Sequence, residues 1–183
     1  MKTRIAVVAA LIFLSGAALS ESASSPGAPP SWFLEEIATL CAGTGRWVTD
    51  NSEYKSEQEP YDAYGTEWLS SFDGTTMTGR LFGIKDNKET ENFWEFRQYW
   101  HPERKEAVLE QFGWGGTIGI GTISHKGDST RADQTFYAVD GTAFRSGHES
   151  SFPDPETYVT RSFLIDDGEW HPNRSYTWRR VSD

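Results

Sequence analysis

Gly45-Arg46-Trp47 opens the first strand-like segment of this chain, and Trp178-Arg179-Arg180 lies on the last one. Between them, short runs rich in β-branched and aromatic residues are separated by turn-forming pairs such as Asp73-Gly74 and Asp140-Gly141, which are typical of hairpins. Successive strands with short connections and no helix between them indicate an antiparallel meander. A meander of this length tends to close on itself, because closure removes both exposed edges.

We therefore predict an all-β protein, an up-and-down antiparallel meander closed into a barrel of about eight to ten strands. One short helix precedes it, from Ser31 to about Cys41, with Phe33, Ile37 and Leu40 on one face. The predicted strands cover residues 45–55, 63–72, 75–84, 92–101, 107–114, 117–125, 132–139, 142–152, 157–165 and 174–181. The alternative is an open curved sheet wrapped round the helix. An immunoglobulin-like sandwich fits less well, because uniform hairpins leave little room for Greek-key crossovers.

Residues 1–20 have the pattern of a secretory signal peptide. Lys2 and Arg4 precede an apolar run, and Ala18-Leu19-Ser20 offers small residues for cleavage after Ser20. The run is shorter than the roughly 20 apolar residues of a membrane span. Residues 21–30 then read as a flexible leader and residues 31–183 as one barrel domain. We therefore predict a periplasmic or secreted protein without a membrane span.

The charge of the chain argues against a nucleic-acid partner. The formal net charge is −10, and removal of the two positive charges of Lys2 and Arg4 with the signal peptide makes it −12. Such a surface repels phosphate backbones. Cys41 is the only cysteine, so no disulfide can form within the chain, and its apolar neighbours predict a buried thiol.

Residues 92–101 form the most aromatic predicted strand. One face carries Trp94, Phe96, Gln98 and Trp100, and the other carries Glu95 and Arg97, which prefer water. The Trp-Phe-Gln-Trp face is therefore predicted to point inward. There it either lines an apolar pocket with one polar group or fills the barrel as an ordinary core.

The predicted strand 157–165 offers a second row of candidates. Tyr158 and Thr160 share a face with Ser162, opposite Arg161. The row is either an inward polar lining or the wet outer surface of the sheet; if it faces inward, Arg161 lies outside, where a charge is tolerated best. We include Tyr158 and Thr160 in the predicted ligand lining.

The sequence contains no pattern that indicates an enzyme, a metal or a cofactor. The four histidines, His101, His125, His148 and His171, lie near predicted strand ends or in loops, and no two have the spacing of a local metal pair. The glycine-rich residues 113–121 lack the lysine and the following helix of a phosphate-binding loop. We therefore predict no catalytic residue, no metal and no cofactor.

The Gly-x-Trp start and the arginines near the end resemble the lipocalin-like (calycin) barrels. The order of elements is most similar to uncharacterised bacterial domains of the DUF1579-like type, with a Tyr-x-x-Arg close at residues 176–179. The resemblance spans roughly residues 31–181. It implies that Trp47 packs at the closed end of the barrel, covered by Arg179 or Arg180 as a structural plug. Any opening would then lie at the opposite end.

Three functions are compatible with these features. The first is an exported barrel that binds a small apolar or amphipathic molecule. The second is a barrel-mouth enzyme, an isomerase, cyclase or hydrolase of a small hydrophobic substrate, with His101, Glu95, Arg97 and His148 as first candidates. The third is an envelope structural or interaction domain with a solid core, which an exposed patch of Tyr61, Tyr64 and Trp68 would favour. Nothing in the sequence specifies an oligomeric state.

Overall fold

The computed structural model describes residues 27–182, which form a closed antiparallel β-barrel of ten strands with one α-helix at one end. The helix is α1 (Ser31–Leu40), and the strands are β1 (Arg46–Asp50), β2 (Ala63–Ser71), β3 (Thr76–Lys85), β4 (Lys88–His101), β5 (Glu106–Gly113), β6 (Ile118–Lys126), β7 (Ser129–Tyr137), β8 (Ala143–Asp154), β9 (Thr157–Asp166) and β10 (Glu169–Arg180). The prediction of an all-β, up-and-down barrel is confirmed. The predicted signal peptide and most of the predicted leader lie outside the described residues.

The barrel closes because its first and last strands pair. Each strand pairs with its neighbours in sequence, and β1 pairs with β10, with Trp47 opposite Arg180. This excludes the alternative of an open sheet. Because β1 starts directly after α1 and the strands alternate in direction, the turns 71–76, 101–106, 126–129 and 154–157 lie at the helix end, which we call the closed end. The other connections lie at what we call the open end.

β1 and β10 differ most from their predicted bounds, by five residues at one end of each strand, and both differences have local reasons. β1 ends at Asp50 because Asn51 turns the chain: its backbone N–H donates to Asp62 O and its Nδ2 to Tyr61 O. The predicted strand 45–55 is therefore short, and residues 51–62 form a separate connection. β10 begins five residues earlier than residue 174, at Glu169, because the register shifts between Pro172 and Arg174. Such a bulge accommodates a proline within a strand.

A cluster of buried apolar side chains lies at the closed end, under the helix. Phe33, Ile37 and Leu40 of α1 are at most 1% exposed and pack with Trp47 and Met77, which are fully buried. Burial of each large side chain contributes about 2 kcal/mol to stability. The core therefore fixes the helix across the barrel. No helix among residues 27–182 has both the length and the apolar character to cross a membrane.

Cys41 lies at the end of this helix and is only half-buried, although a fully buried thiol was predicted. It packs against the closed-end core. Burial raises the pKa of the thiol to about 11. The thiolate is the nucleophilic form of cysteine, so burial lowers the fraction of nucleophilic Cys41 at neutral pH.

Candidate ligand cavity

The barrel interior contains a cavity of about 480 Å³. Glu36 and Leu40 line it beneath α1, and Phe144 and Asn173, both exposed, line it near the open end. Pockets for small molecules fall in the range of about 300 to 1,000 Å³ and are mostly apolar. The interior is therefore neither the solid core of the third hypothesis nor too small for a ligand.

Aromatic side chains form one wall of the cavity. Trp68 of β2 stacks on Phe96 of β4 with 5.1 Å between ring centres, and Trp94 meets Phe136 edge-on at 5.6 Å. Side chains along β4 alternate between the two faces of the sheet. Because Glu95 and Arg97 are exposed on the outer face, Trp94 and Phe96 point into the barrel. The alternation of β4 thus builds the apolar side of the cavity.

The predicted lining residues divide between the cavity and the closed-end core. The cavity is lined by Trp94, Phe96, Gln98, Tyr158 and Thr160. Trp100 is not among the lining residues: its ring lies 6.1 Å from that of Phe33, and its Nε1 donates to Gly27 O at 3.0 Å. The reason is position along the strand, since Trp100 lies at the end of β4 that passes beneath α1.

Hydroxyl groups of β8 and β9 form the opposite wall. The row of Tyr158, Thr160 and Ser162 faces inward, while Arg161 is exposed and pairs with Glu149 at 2.6 Å. These hydroxyls already have partners: Trp178 Nε1 donates to Thr160 Oγ1 at 2.9 Å, and the Arg174 N–H donates to Ser162 Oγ at 3.2 Å. This wall is polar, but its hydrogen bonds are largely satisfied within the protein.

Other polar atoms around the cavity are buried and unpaired. Within residues 27–182, no hydrogen-bond partner is found for Glu36 Oε2, Thr66 Oγ1, Trp68 Nε1, Gln98 Nε2 and Gln111 Oε1. All five residues line the cavity. Buried polar atoms without partners are destabilising, and these five surround a single cavity.

Glu36 reaches the cavity from α1 and is 8% exposed. Burial has the largest effect and raises the pKa of its carboxyl to about 7. The polar side chains of Gln98 and Thr130 beside it lower the pKa by a smaller amount. The sequence interpretation did not select Glu36. The available signal was helical spacing, because positions 33, 36, 37 and 40 share one face.

His148 also faces the cavity, from the middle of β8. Burial lowers the pKa of its imidazole to about 4, so it is neutral at pH 7. The interpretation of His148 as a strand-end histidine is therefore wrong. His101 and His125 do lie at the closed end of their strands, where His125 stacks on Trp32 with 5.4 Å between ring centres.

Among residues 27–182, no group of three or more His, Cys, Asp or Glu side chains is arranged to hold a metal ion. Of the candidates named for a barrel-mouth enzyme, His148 lines the cavity, whereas Glu95 and Arg97 are exposed and His101 ends β4.

Near the open end, an ion pair ties the connection 51–62 to the cavity wall. Arg174 Nη1 and Nη2 donate to the two carboxylate oxygens of Glu59 at 2.6 and 2.7 Å. Tyr64 Oη donates to Glu59 at 2.6 Å, and the guanidinium lies 4.9 Å from the ring centre of Tyr54. Hydrogen bonds from Arg174 lower the pKa of Glu59. The bulge in β10 precedes Arg174 directly, and the sequence interpretation missed this pair.

Trp47 and Arg180 seal the closed end. Trp47 is fully buried, its Nε1 donates to Leu40 O at 3.0 Å, and the Arg180 guanidinium lies 4.2 Å from its ring centre. Arg180 also donates to Thr39 O at 3.0 Å and Ala42 O at 2.8 Å, which are carbonyls at the end of α1. Arg179, the other predicted plug residue, points elsewhere and donates to the Thr157 hydroxyl.

The outer surface differs from the predicted aromatic patch. Trp68 is only 7% exposed and, like Tyr64, lines the cavity. Exposed apolar side chains lie instead on β5 to β7 and the turns beside them near the open end, at Phe112, Trp114, Ile118, Ile120, Tyr137 and Val139. The patch of Tyr61, Tyr64 and Trp68 is therefore not a surface site.

Comparison with known proteins identifies no family. No protein-family model and no curated protein matches the chain. Among solved structures, it is similar to the crystal structure of Rv2717c from M. tuberculosis, with a TM-score of 0.47 and 14% sequence identity, covering 84% of this chain and 99% of that chain. This likeness concerns the fold alone.

Proposed function

We propose that this protein is an exported lipocalin-like barrel that binds a small apolar or amphipathic molecule in its interior. The observation that carries the proposal is the cavity of about 480 Å³ between an aromatic wall and a wall of satisfied hydroxyls. Cavities cost stability in proportion to their volume. A cavity of this size, surrounded by unpaired polar atoms, is better explained by a ligand than by packing.

Two further features support the lipocalin-like assignment and export. The Trp47–Arg180 contact closes one end of the barrel under the helix, as the resemblance implies, so that access is left to the other end. Lys2, Arg4 and the apolar run before Ser20 support export. Intact mass of the mature chain tests export: we expect it to start at Glu21, and retention of residues 1–20 in the mature protein would overturn this part of the proposal.

A fluorescence titration with N-phenylnaphthylamine, an apolar probe, tests binding. Ala132 of β7 lines the cavity, and Thr135 lies on the outer face of the same strand. We expect saturable binding by the wild type and an affinity lower by about tenfold or more for Ala132→Phe, because the larger side chain occupies the space of the probe.

Thr135→Phe is the matched control, since it adds an aromatic ring to the same strand outside the barrel. It should bind the probe as the wild type does. Absence of binding by the wild type, or equal binding by Ala132→Phe with its fold intact by circular dichroism, contradicts the proposed function.

A further inference from the structure

Glu36 is a buried carboxyl that faces the cavity without a cation beside it. Its Oε2 has no hydrogen-bond partner within the described residues, and the two side chains that bear on its ionisation, Gln98 and Thr130, are neutral. A buried carboxylate without a counter-charge is costly. The ionised form of Glu36 therefore lacks the stabilisation that a cation would give.

The described part of the chain does not supply that cation. Within residues 27–182, the lysines and arginines that line the cavity are limited to Arg174. Arg174 lies towards the open end, and both of its terminal nitrogens bind Glu59. The closed end of the cavity thus presents a carboxyl group, and its one basic lining residue is already paired elsewhere.

From this geometry we propose that the ligand is an amphipathic amine, whose protonated amino group binds Glu36 while its apolar part extends towards the open end. The inference rests on the proposed function and names the class of ligand for the same cavity. The three N–H groups of an ammonium match the Glu36 carboxylate and the acceptor oxygens of Gln98 and Thr130. A fatty acid placed in the same orientation would bring a second carboxylate against Glu36.

Two features of the surroundings favour a cationic head group. The cavity presents the rings of Trp68, Tyr158 and Trp178, and aromatic faces attract cations. The formal net charge of −10 over the whole sequence attracts cations to the protein and repels anions. The net charge attracts the cation before it enters the cavity, and the aromatic rings attract it once it is inside.

Ionisation of Glu36 should control amine binding above about pH 5. Gln98 on β4 and Thr130 on β7 do not titrate. On β8, burial lowers the pKa of His148 to about 4, and on β9, burial keeps the pKa of Tyr158 well above its ordinary value. Burial raises the pKa of Glu36 to about 7. Amine affinity should therefore rise as pH approaches 7 and level off above it.

Three probes with the same alkyl chain test the inference: decylamine, decanol and decanoate, titrated calorimetrically at about pH 8. We expect the wild type to bind decylamine about tenfold or more tightly than decanol, with decanoate weakest, because charge-assisted hydrogen bonds are the strong ones. Glu36→Gln should lose about tenfold or more in decylamine affinity and keep decanol affinity within about threefold.

Glu35→Gln is the matched control, because it removes the same charge from the exposed face of α1. It should change neither affinity. In the wild type, lowering the pH from about 7 to 5 should weaken decylamine binding about 50-fold and leave decanol binding unchanged. This pH titration of the wild type tests whether ionised Glu36 binds the amino group, even if Glu36→Gln does not fold.

The possible results distinguish failure of the amine assignment from failure of the proposed function. Equal wild-type affinities for decylamine and decanol, decylamine binding that does not respond to Glu36→Gln, or a flat pH dependence overturns the amine assignment and leaves the proposed function intact. Failure of the wild type to bind decylamine, decanol and N-phenylnaphthylamine overturns the proposed function itself.

Discussion

At the scale of single residues, the motif Gly45-Arg46-Trp47 determines, together with Arg180, how one end of the barrel is closed. Gly45 has a φ of +67°, and a Cβ at this position would collide with the carbonyl oxygen of Trp68. Only glycine adopts this conformation without strain, and Trp68 N–H donates to Gly45 O at 3.0 Å. The glycine thus lets the chain turn from α1 into β1 with Trp47 pointing inward.

Arg180→Ala should lower the free energy of unfolding by about 3 kcal/mol. The side chain is 9% exposed and lies over Trp47, and it donates to Thr39 O and Ala42 O, so its removal leaves the indole face and the helix carbonyls unpaired. Urea denaturation followed by circular dichroism measures the loss. Arg179→Ala, an exposed neighbour, should cost less than about 1 kcal/mol, and equal losses in the two variants would refute the plug.

At the scale of elements, the strand alternation was predictable where charged residues mark the outer face. Glu95 and Arg97 identify the outer face of β4, so the inward row followed from spacing alone. The position of Trp100 did not, because it depends on how far α1 reaches across the barrel end. Glu36 shares the inward face of α1 with Phe33 and Ile37, so helical spacing indicates its direction, but spacing does not show that a cavity lies beneath it.

The connection 51–62 could not be predicted because its position depends on long-range contacts. Asn51 ends β1, and Glu59 reaches Arg174, which is 115 positions away in sequence. The register shift in β10 precedes Arg174 immediately. Pro172 is a local signal for an irregular strand, but it does not indicate which distant residue Arg174 will pair with. The strands of the barrel are therefore predictable from the sequence, whereas the contacts at its open end are not.

Glu59→Gln should loosen this connection without unfolding the barrel. The variant loses the paired charge of a bidentate ion pair that is partly buried, with side-chain exposures of 35% for Arg174 and 18% for Glu59, and we expect a cost of about 1 to 2 kcal/mol. Hydrogen exchange should accelerate within residues 51–62 and stay unchanged in β5 to β8. Glu57→Gln, an exposed change in the same connection, is the control. Unaltered exchange in Glu59→Gln would show that the ion pair does not hold the segment.

At the scale of the whole molecule, Glu36 and His148, two buried titratable groups, have opposite effects on stability as pH changes. Between pH 4.5 and 6.5, Glu36 is protonated in the folded state and ionised in the unfolded state, because its pKa is raised from 4.5 to about 7. Its contribution to stability is full below pH 4.5 and falls as pH rises. His148 is neutral when folded and charged when unfolded, because its pKa is lowered from 6.5 to about 4. Its contribution therefore increases over the same range.

The two slopes, each about 1.4 kcal/mol per pH unit, should nearly cancel in the wild type between pH 4.5 and 6.5. Glu36→Gln leaves the histidine uncompensated, so its unfolding free energy should rise with pH across this window relative to that of the wild type. His148→Gln should show the reverse, a fall with pH. Urea denaturation at closely spaced pH values measures these slopes, whatever the baseline stability of each variant. Parallel curves for the wild type and both variants would mean that neither group titrates as a buried side chain, which would also remove the pH basis for amine binding at Glu36.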